Sequence, residues 1–407
     1  MKEGIKMKAV MYGGGNIGRG FIGMLLSASG YEVTFVDVVD AVVNTLNEKH
    51  TYPVRIIKGD THEDIAVNNV SAVDGKDPKA VANAIADADI MATAVGVNVL
   101  KFIVPNIVEG LRLRKERNLP PFNIIICENL MDANKVIEGM IKDYLNDDEK
   151  AWFDKNVGLV EASIGRMVPV QTDEMKDGDP MRVCVESYGY LPVDKDGFKG
   201  DIPEIKNMVP FAPFDFYIKR KLYIHNMGHA TCAYLGDLLG LEYIYESIDK
   251  DEVYIIVRGA MEESARALSK KYGVALEDIM LHITDLLDRF TNAALRDTCK
   301  RVGGDPNRKL SPKDRLIGAS TLALEMGITP AYIAIGAAAA LCRYLNEAED
   351  KTLTATDVIK TVCALDENSE LAKLILDTYA LIKNGKSLKD IRRAADKISA
   401  SKLVNVI

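Results

Sequence analysis

Nowhere in the 407 residues does a run of about 18 apolar residues go uninterrupted by charge. The sequence therefore predicts no membrane-spanning helix. Cysteine is sparse: there are six, and no two are spaced as C-x-x-C. That excludes a disulfide scaffold and is expected of buried thiols in a reducing cytoplasm. No His, Cys and Asp set has zinc-ligand spacing, so no metal is expected. Positive charge is in deficit, with 51 Lys and Arg against 59 Asp and Glu and a net charge of −8. Sequence-independent binding to nucleic acid or to an anionic membrane rests on basic surfaces and is not expected. Met1 to Lys6 is polar and lacks the apolar stretch of a secretory signal, which again predicts a cytoplasmic protein. There is no internal repeat and no low-complexity tract. A hydrophobic content of 48% excludes disorder for the bulk of the chain, and the length suits two or three domains.

What is present is strand and helix in alternation. Lys8 to Tyr12, Glu32 to Val38, Ile90 to Val95 and Asn123 to Cys127 read as buried strands. Between them Gly15 to Ser29, Asp40 to Lys49, Ala80 to Ala88 and Val97 to Arg114 read as helices. This order predicts a parallel sheet covered by helices. Two further strands, Gly158 to Gly165 and Met181 to Glu186, lead into a stretch punctuated by Pro180, Pro192, Pro203, Pro210 and Pro213. Helical periodicity then runs almost to the end, over Phe216 to Leu239, Glu252 to Tyr272, Leu276 to Arg289, Pro312 to Glu325 and Ala331 to Glu347. The predicted fold is an α/β N-terminal dinucleotide-binding domain of Rossmann type with a mixed-strand extension, residues 1–205. An all-α C-terminal domain follows, residues 206–407.

The first strand runs into Gly13-Gly14-Gly15-Asn16-Ile17-Gly18, a G-x-G-x-x-G between strand and helix. Gly13 is assigned the tight turn, Gly15 the close approach of backbone to a pyrophosphate, and Gly18 the contact of helix with strand. Asn16 and Ile17 open the helix, whose N-terminal N–H groups suit phosphate. Asp37, ending the second strand, can accept from ribose hydroxyls and would repel a 2′-phosphate, so NAD is the expected cofactor rather than NADP. Thr93, Val95 and Gly96, at the end of a later strand, are placed beside the cofactor. Arg19 is either a phosphate contact or a solvated helix residue.

The helical half holds Lys221-Leu222-Tyr223-Ile224-His225-Asn226-Met227-Gly228-His229. On a regular helix Lys221, Asn226 and His229 fall at about 0°, 140° and 80°, on one side, with roughly 12 Å between the first and last Cα. A lysine of lowered pKa can take a hydroxyl proton while hydride leaves for a nicotinamide. An asparagine can steady the developing alkoxide. A histidine can bond that oxygen or a neighbouring hydroxyl. The alternative is a surface helix with ordinary polar residues.

The pattern K-x4-N-x2-H, with the glycine segment extended as Arg19-Gly20-Phe21-Ile22-Gly23, resembles the polyol-specific long-chain dehydrogenases. Thr93 to Gly96, Cys127-Glu128-Asn129, Gly259 to Ser264 and Arg308-Lys309-Leu310-Ser311 are most similar to the mannitol-1-phosphate branch of that family. The resemblance runs from about residue 7 to past Ser369. It implies an NAD-dependent, metal-independent oxidoreductase in which Lys221 is the general acid/base. Asn226 and Asn129 would form an oxyanion pair, and His229 would bind the reacting oxygen. Relatives of the mannitol-1-phosphate type carry an Asp-Arg pair where this chain has Gly165-Arg166.

A sugar phosphate needs a cationic pocket. Arg308 and Lys309, in a Gly/Pro loop opening a helix at Pro312, are the candidates for it, with Arg166 and Arg289 as weaker ones. The alternative is a solvated basic loop. The expected reaction interconverts D-mannitol 1-phosphate and D-fructose 6-phosphate, with substrate between the two domains. Rival substrates are a hexuronate (altronate or mannonate) and a free polyol such as mannitol. A rival of another class is a nicotinamide-binding regulator without catalysis. Monomer and dimer both remain open.

Overall fold

Lys8–Tyr12 (β1) shows how the first half is built. Ala9 and Met11 join one apolar cluster while Val10 and Tyr12 join another. This is the alternation of a strand covered on both faces. The computed structural model describes residues 7–404 apart from 60, 131 and 170. Met1 to Lys6, read above for a secretory signal, lie outside the described residues. The chain divides into two compact units between Asp215 and Phe216, where the sequence reading set the boundary at 205/206.

In the first unit β1 is followed by β2 (Glu32–Asp37), β3 (Thr51–Lys58), β4 (Thr61–Asn68), β5 (Val70–Asp74), β6 (Ile90–Thr93), β7 (Phe122–Ile126), β8 (Val157–Glu161), β9 (Val183–Glu186), β10 (Leu191–Asp194) and β11 (Met208–Phe211). Six of them form a sheet in the order β5-β2-β1-β6-β7-β8, parallel throughout. The chain starts in the middle, winds outward to β5, then returns past β1 to wind the other way. The switch point, where ligands of such sheets bind, lies between β1 and β6. Tyr12 pairs with Val36 on one side and Thr93 on the other, and Thr93 pairs with Ile126. The loops after β1, β2, β6 and β7 therefore leave the sheet at one level.

The helix over 16–28 covers one face, and its middle turns, Gly18–Gly23, are π-helical. A second sheet, β4-β3-β9, lies across it. A Cβ on Gly20 would come within 2.7 Å of Val183, so the helix passes between the sheets on its glycine side. The β3–β4 hairpin escaped the sequence reading for a physical reason. In β4 only Val67 is buried, and a strand so exposed has no apolar alternation to detect. Leu191–Asp194 and Met208–Phe211 pair in parallel within the proline-punctuated stretch.

In the second unit the helix Ala331–Glu347 is apolar on all sides and is buried from Ala331 to Cys342 apart from Tyr332. Around it pack Met227–Leu238, Asp251–Tyr272 and Glu370–Lys383. Its first N–H groups, on Tyr332 and Ile333, donate to the buried carboxylate of Glu263 at 3.0 Å, which satisfies donors a helix start leaves open. The helix expected to open at Pro312 begins instead at Ile317. Arg308 and Lys309 belong to a separate helical turn, Pro306–Lys309, whose cap Asp305 accepts from the Arg308 N–H at 3.2 Å. All six cysteines are buried free thiols. Among the described residues no helix is long and apolar enough to cross a membrane.

Candidate active site

The glycine loop leaves β1 at the switch point. Gly13 has φ +104°, and a Cβ on it would stand 2.5 Å from the Ala94 carbonyl oxygen at the end of β6. A Cβ on Gly18 would stand 1.9 Å from the carbonyl oxygen of Gly13. These two glycines let the turn, the helix and the neighbouring strand meet. Gly15 faces open space, and it and Asn16 are exposed at the crest, with Ile17 half-buried. The Asp37 carboxylate closes the side of the loop. It accepts from the Gly14 N–H at 2.7 Å and the Val39 N–H at 2.9 Å. One acceptor direction on each oxygen is thereby used, and the others remain for ribose hydroxyls. An open backbone crest at a helix start, with a fixed carboxylate beside it, fits a dinucleotide.

Arg19 is buried and not solvated. Its Nε donates to the Gly14 carbonyl at 2.7 Å and its Nη1 to the Met181 carbonyl at 2.5 Å. Burial pushes its pKa down, against the fields of Tyr52, Asp37 and Asp179. It braces the loop from behind. At the end of β6 Thr93 is buried, with a hydroxyl that finds no partner among the described residues. Val95 is half-buried and Gly96 is exposed at φ +90°. Their N–H groups donate to the buried Glu128 carboxylate at 3.0 and 2.8 Å. Asn129 follows Glu128 and is exposed. Arg166 is buried, donates to the carbonyls of Tyr188 and of Gly20 (2.9 Å), and lies 4.9 Å over the Phe21 ring.

In the second unit the motif helix is not regular. Asp215–Arg220 and Met227–Leu238 are α-helical, but Lys221–Asn226 between them is π-helical. A π turn bonds i to i+5, so Lys221 and Asn226 come closer in angle than the roughly 140° of the regular helix. Lys221 is part-buried. Burial, and then the nearby Arg315 guanidinium, push its pKa down to about 8. His229 lies against the Phe290 ring, with centroids 4.7 Å apart and planes at 15°, and its Nε2 is 3.3 Å from Asp297 Oδ2. His225 is fully enclosed, and burial followed by the charge of Arg289 holds it well below its ordinary value.

The basic loop reaches the same helix. The Tyr223 hydroxyl donates to the Lys313 carbonyl at 3.3 Å, and Arg315 lowers Lys309 as it lowers Lys221. Arg308 is exposed and shared between Asp305 (2.9 Å) and Asp314 (3.2 Å). Lys309 is buried, donates to the Gly304 carbonyl, and has its pKa pushed down to about 8 by burial, Arg315 and Arg308. Of the two, then, Arg308 already carries counter-ions, whereas Lys309 has no carboxylate within ion-pair distance among the described residues.

Sequence comparison matches residues 7–207 to the mannitol dehydrogenase Rossmann domain and residues 214–396 to the mannitol dehydrogenase C-terminal domain. The chain belongs to the mannitol dehydrogenase family. Its fold is shared with a D-sorbitol dehydrogenase solved in substrate-free form, at a TM-score of 0.78 and 16% identity over 96% of this chain and 95% of that one. It is shared also with Pseudomonas fluorescens mannitol 2-dehydrogenase, solved as a ternary complex with NAD and D-mannitol. There the TM-score is 0.74 at 15% identity, over 97% of this chain and 95% of that one. The open sheet with its glycine loop is thus the nicotinamide-dinucleotide domain of a polyol dehydrogenase.

Two residues that the sequence reading passed over shape this family site. Glu128 ties the loop after β6 to the end of β7, which carries Asn129. Its signal was its place between Cys127 and Asn129. Asp297 meets His229 across a long stretch of chain and had no signal in spacing. Gly165, where mannitol-1-phosphate relatives carry Asp, lies tight against Tyr188: a Cβ there would stand 3.0 Å from the ring. The tyrosine occupies the space such a side chain would enter.

Proposed function

We propose that the chain is an NAD-dependent oxidoreductase interconverting D-mannitol 1-phosphate and D-fructose 6-phosphate, with Lys221 as general acid/base. The observation that carries this reading is a pair of ammonium groups, the part-buried Lys221 and the buried Lys309, both within the field of Arg315. Neither has a carboxylate within ion-pair distance among the described residues. Enclosed cations with no carboxylate in contact favour an anionic substrate, although Asp305 and Asp314 offset part of the charge felt at Lys309, and a phosphate is the anion such groups bind best. NAD, held by Gly13, Gly15, Asn16, Ile17 and Gly18 with Thr93, Val95 and Gly96 alongside, supplies the hydride acceptor. Asp37 selects it over NADP by accepting from the ribose hydroxyls.

In the oxidation direction Lys221, neutral in a useful fraction near its lowered pKa, takes the proton from the carbinol hydroxyl. Asn226, brought closer to it in angle by the π turn, donates to the developing alkoxide, with Asn129 as the second donor. In reduction the Lys221 ammonium returns the proton. Lys309 is the first choice for the phosphate and the exposed Arg308 the second, whereas Arg166 is engaged by the carbonyls of Tyr188 and Gly20 within the first unit. The polyol and the sugar phosphate are the small-molecule partners.

A sugar acid is the second reading. A carboxylate would meet the same two ammonium groups, and Gly165 departs from the mannitol-1-phosphate pattern. NADH oxidation assayed with fructose 6-phosphate, fructose, tagaturonate and fructuronate separates the cases. Fructose 6-phosphate should exceed fructose in kcat/KM by more than about tenfold, the least that a buried ionic contact contributes. Equal rates would overturn the phosphate assignment, and turnover of a keto-uronate alone would transfer it to the sugar acid.

A further inference from the structure

The His229 ring is held on two sides by residues that the family motif does not contain. Phe290 covers one face, parallel to it at 4.7 Å between centroids. On the edge, Nε2 is 3.3 Å from Oδ2 of Asp297. This is within ion-pair distance and longer than an ideal hydrogen bond. Asp297 is itself immobilised. Its other oxygen accepts from Arg301 Nε at 2.8 Å. Its carbonyl accepts from the Ile244 N–H at 2.9 Å, and two residues on the Cys299 N–H donates to the Glu242 carbonyl at 2.8 Å. Arg296, just before it, takes a left-handed φ of 47° to turn the chain there. With only 12% of its side chain exposed, Asp297 is pushed toward neutrality by burial, but His229 and Arg301 together hold it below the usual carboxylate range. It faces His229 as an anion.

We propose that Asp297 is the positioning residue of His229, fixing the Nε2–H tautomer so that Nδ1 serves as a hydrogen-bond acceptor. A neutral imidazole has one donor and one acceptor nitrogen, and the partner of the first decides the role of the second. A carboxylate at Nε2 makes that nitrogen the donor. Nδ1 then carries a lone pair, which repels an alkoxide and accepts from a hydroxyl. His229 therefore binds a hydroxyl next to the reacting carbon, and the alkoxide is left to Asn226. Sequence alone leaves both oxygens open to His229. The assignment makes a vicinal hydroxyl, present in any polyol, part of what the site recognises. It rests on the polyol dehydrogenase reading for its consequence, but the tautomer is a property of the free protein.

The test uses full-length protein with 15N-labelled histidine, in mildly alkaline buffer where imidazole is neutral. There are five histidines, and the His229 signals are identified by their loss in His229→Gln. Native protein should show Nε2 protonated and Nδ1 bare. In Asp297→Asn, whose amide can donate to Nε2, the pattern should invert or become mixed. Its kcat/KM should fall on the order of 10- to 100-fold, as when partners that orient a histidine are lost. Asp297→Glu, which keeps the charge, should restore most of the tautomer and part of the rate. A protonated Nδ1 in native protein would overturn the proposal even if Asp297→Asn does not fold. So would an unchanged Asp297→Asn spectrum, or a kcat/KM within about twofold of native, inside the spread of a surface substitution. Absence of native turnover with every polyol or keto-sugar would instead count against the function proposed above and leave the spectra to decide this assignment.

Discussion

Among the described residues two π-helical turns, one in each unit, follow opposite rules. Gly18–Gly23 is buried throughout, and its glycines are what the structure uses: Gly18 lies under the Gly13 carbonyl and Gly20 under Val183. Lys221–Asn226 contains no glycine, is only partly buried, and begins and ends on the two polar residues assigned to proton transfer and alkoxide binding. The first turn brings backbone against backbone so that a dinucleotide can approach. The second shifts the angular register so that residues five apart come toward one face. The same rare backbone geometry serves shape in one unit and, in the function proposed above, side-chain chemistry in the other, as π turns at functional sites commonly do. It follows that the first should be sensitive to any added atom, and the second to the loss of particular functional groups.

The largest expected effect falls on the second turn. Lys221→Ala should lower kcat by about 10²- to 10⁴-fold, the range that a general acid/base contributes, while NADH binding by fluorescence titration stays within a few-fold of native. Surviving turnover would remove Lys221 from the mechanism and, with it, the chemical half of the contrast. The converse substitution is Gly18→Ala. Its methyl group would need the space of the Gly13 carbonyl oxygen, 1.9 Å away, so loop and helix must separate. A loss of about 1–3 kcal/mol in denaturant unfolding is expected, the range of an overpacked interior, along with weaker NADH binding. Normal NADH affinity in this variant would show that the glycines are not what shapes the loop.

Asp37→Ala acts between the two rules, because Asp37 is both the proposed acceptor for the ribose and a partner of two backbone N–H groups in the loop. The preference for NAD over NADP should fall by roughly tenfold or more, as expected when about 1.4 kcal/mol of discrimination is lost. Affinity for both cofactors should drop because the loop loses its brace. An unchanged ratio would end the ribose argument.

The contrast also explains what could be read from residues alone. Strands β1, β2, β6 and β7 are apolar runs ended by turn residues, and Asp40–Lys49 and Ala331–Glu347 lie where the periodicity put them. The glycine loop was legible because its geometry is encoded by glycine itself. The π turn at Lys221 was not: no residue type marks it, and regular-helix angles put Asn226 on the same side as Lys221 but about 140° away. Nor were the β3–β4 hairpin, which is exposed on most of β4, and the pairing of His229 with Asp297 or of Glu128 with Val95 and Gly96. Those contacts join segments that only the tertiary fold brings together. The basic loop was visible as composition, but the counter-ions of Arg308 and the burial of Lys309 were not. Charge in a sequence does not say which charges are already neutralised.

The smallest effect tests the electrostatics around the second turn. Lys221 is held at about 8 by burial first and by Arg315 second. Arg315 is also paired with Asp314 at 2.8 Å, which weakens its field at the lysine without cancelling it. Arg315→Met removes the second cause and leaves the first, so the Lys221 pKa should rise only part of the way toward its ordinary 10.5. With Lys221 as the proposed base, polyol oxidation needs the neutral amine, so its kcat/KM should rise with pH through the lysine's titration. In the variant that rise should come later, and oxidation at neutral pH should slow. Ketone reduction needs the ammonium, so its fall with rising pH should be delayed in the same variant. A shift of about half a pH unit, roughly a threefold change in the neutral fraction below the midpoint, would be visible as two profiles displaced in the same direction. If both profiles stay in place, burial alone tunes Lys221, and the basic loop contributes nothing to the chemistry of the π turn beyond any contact with the substrate anion.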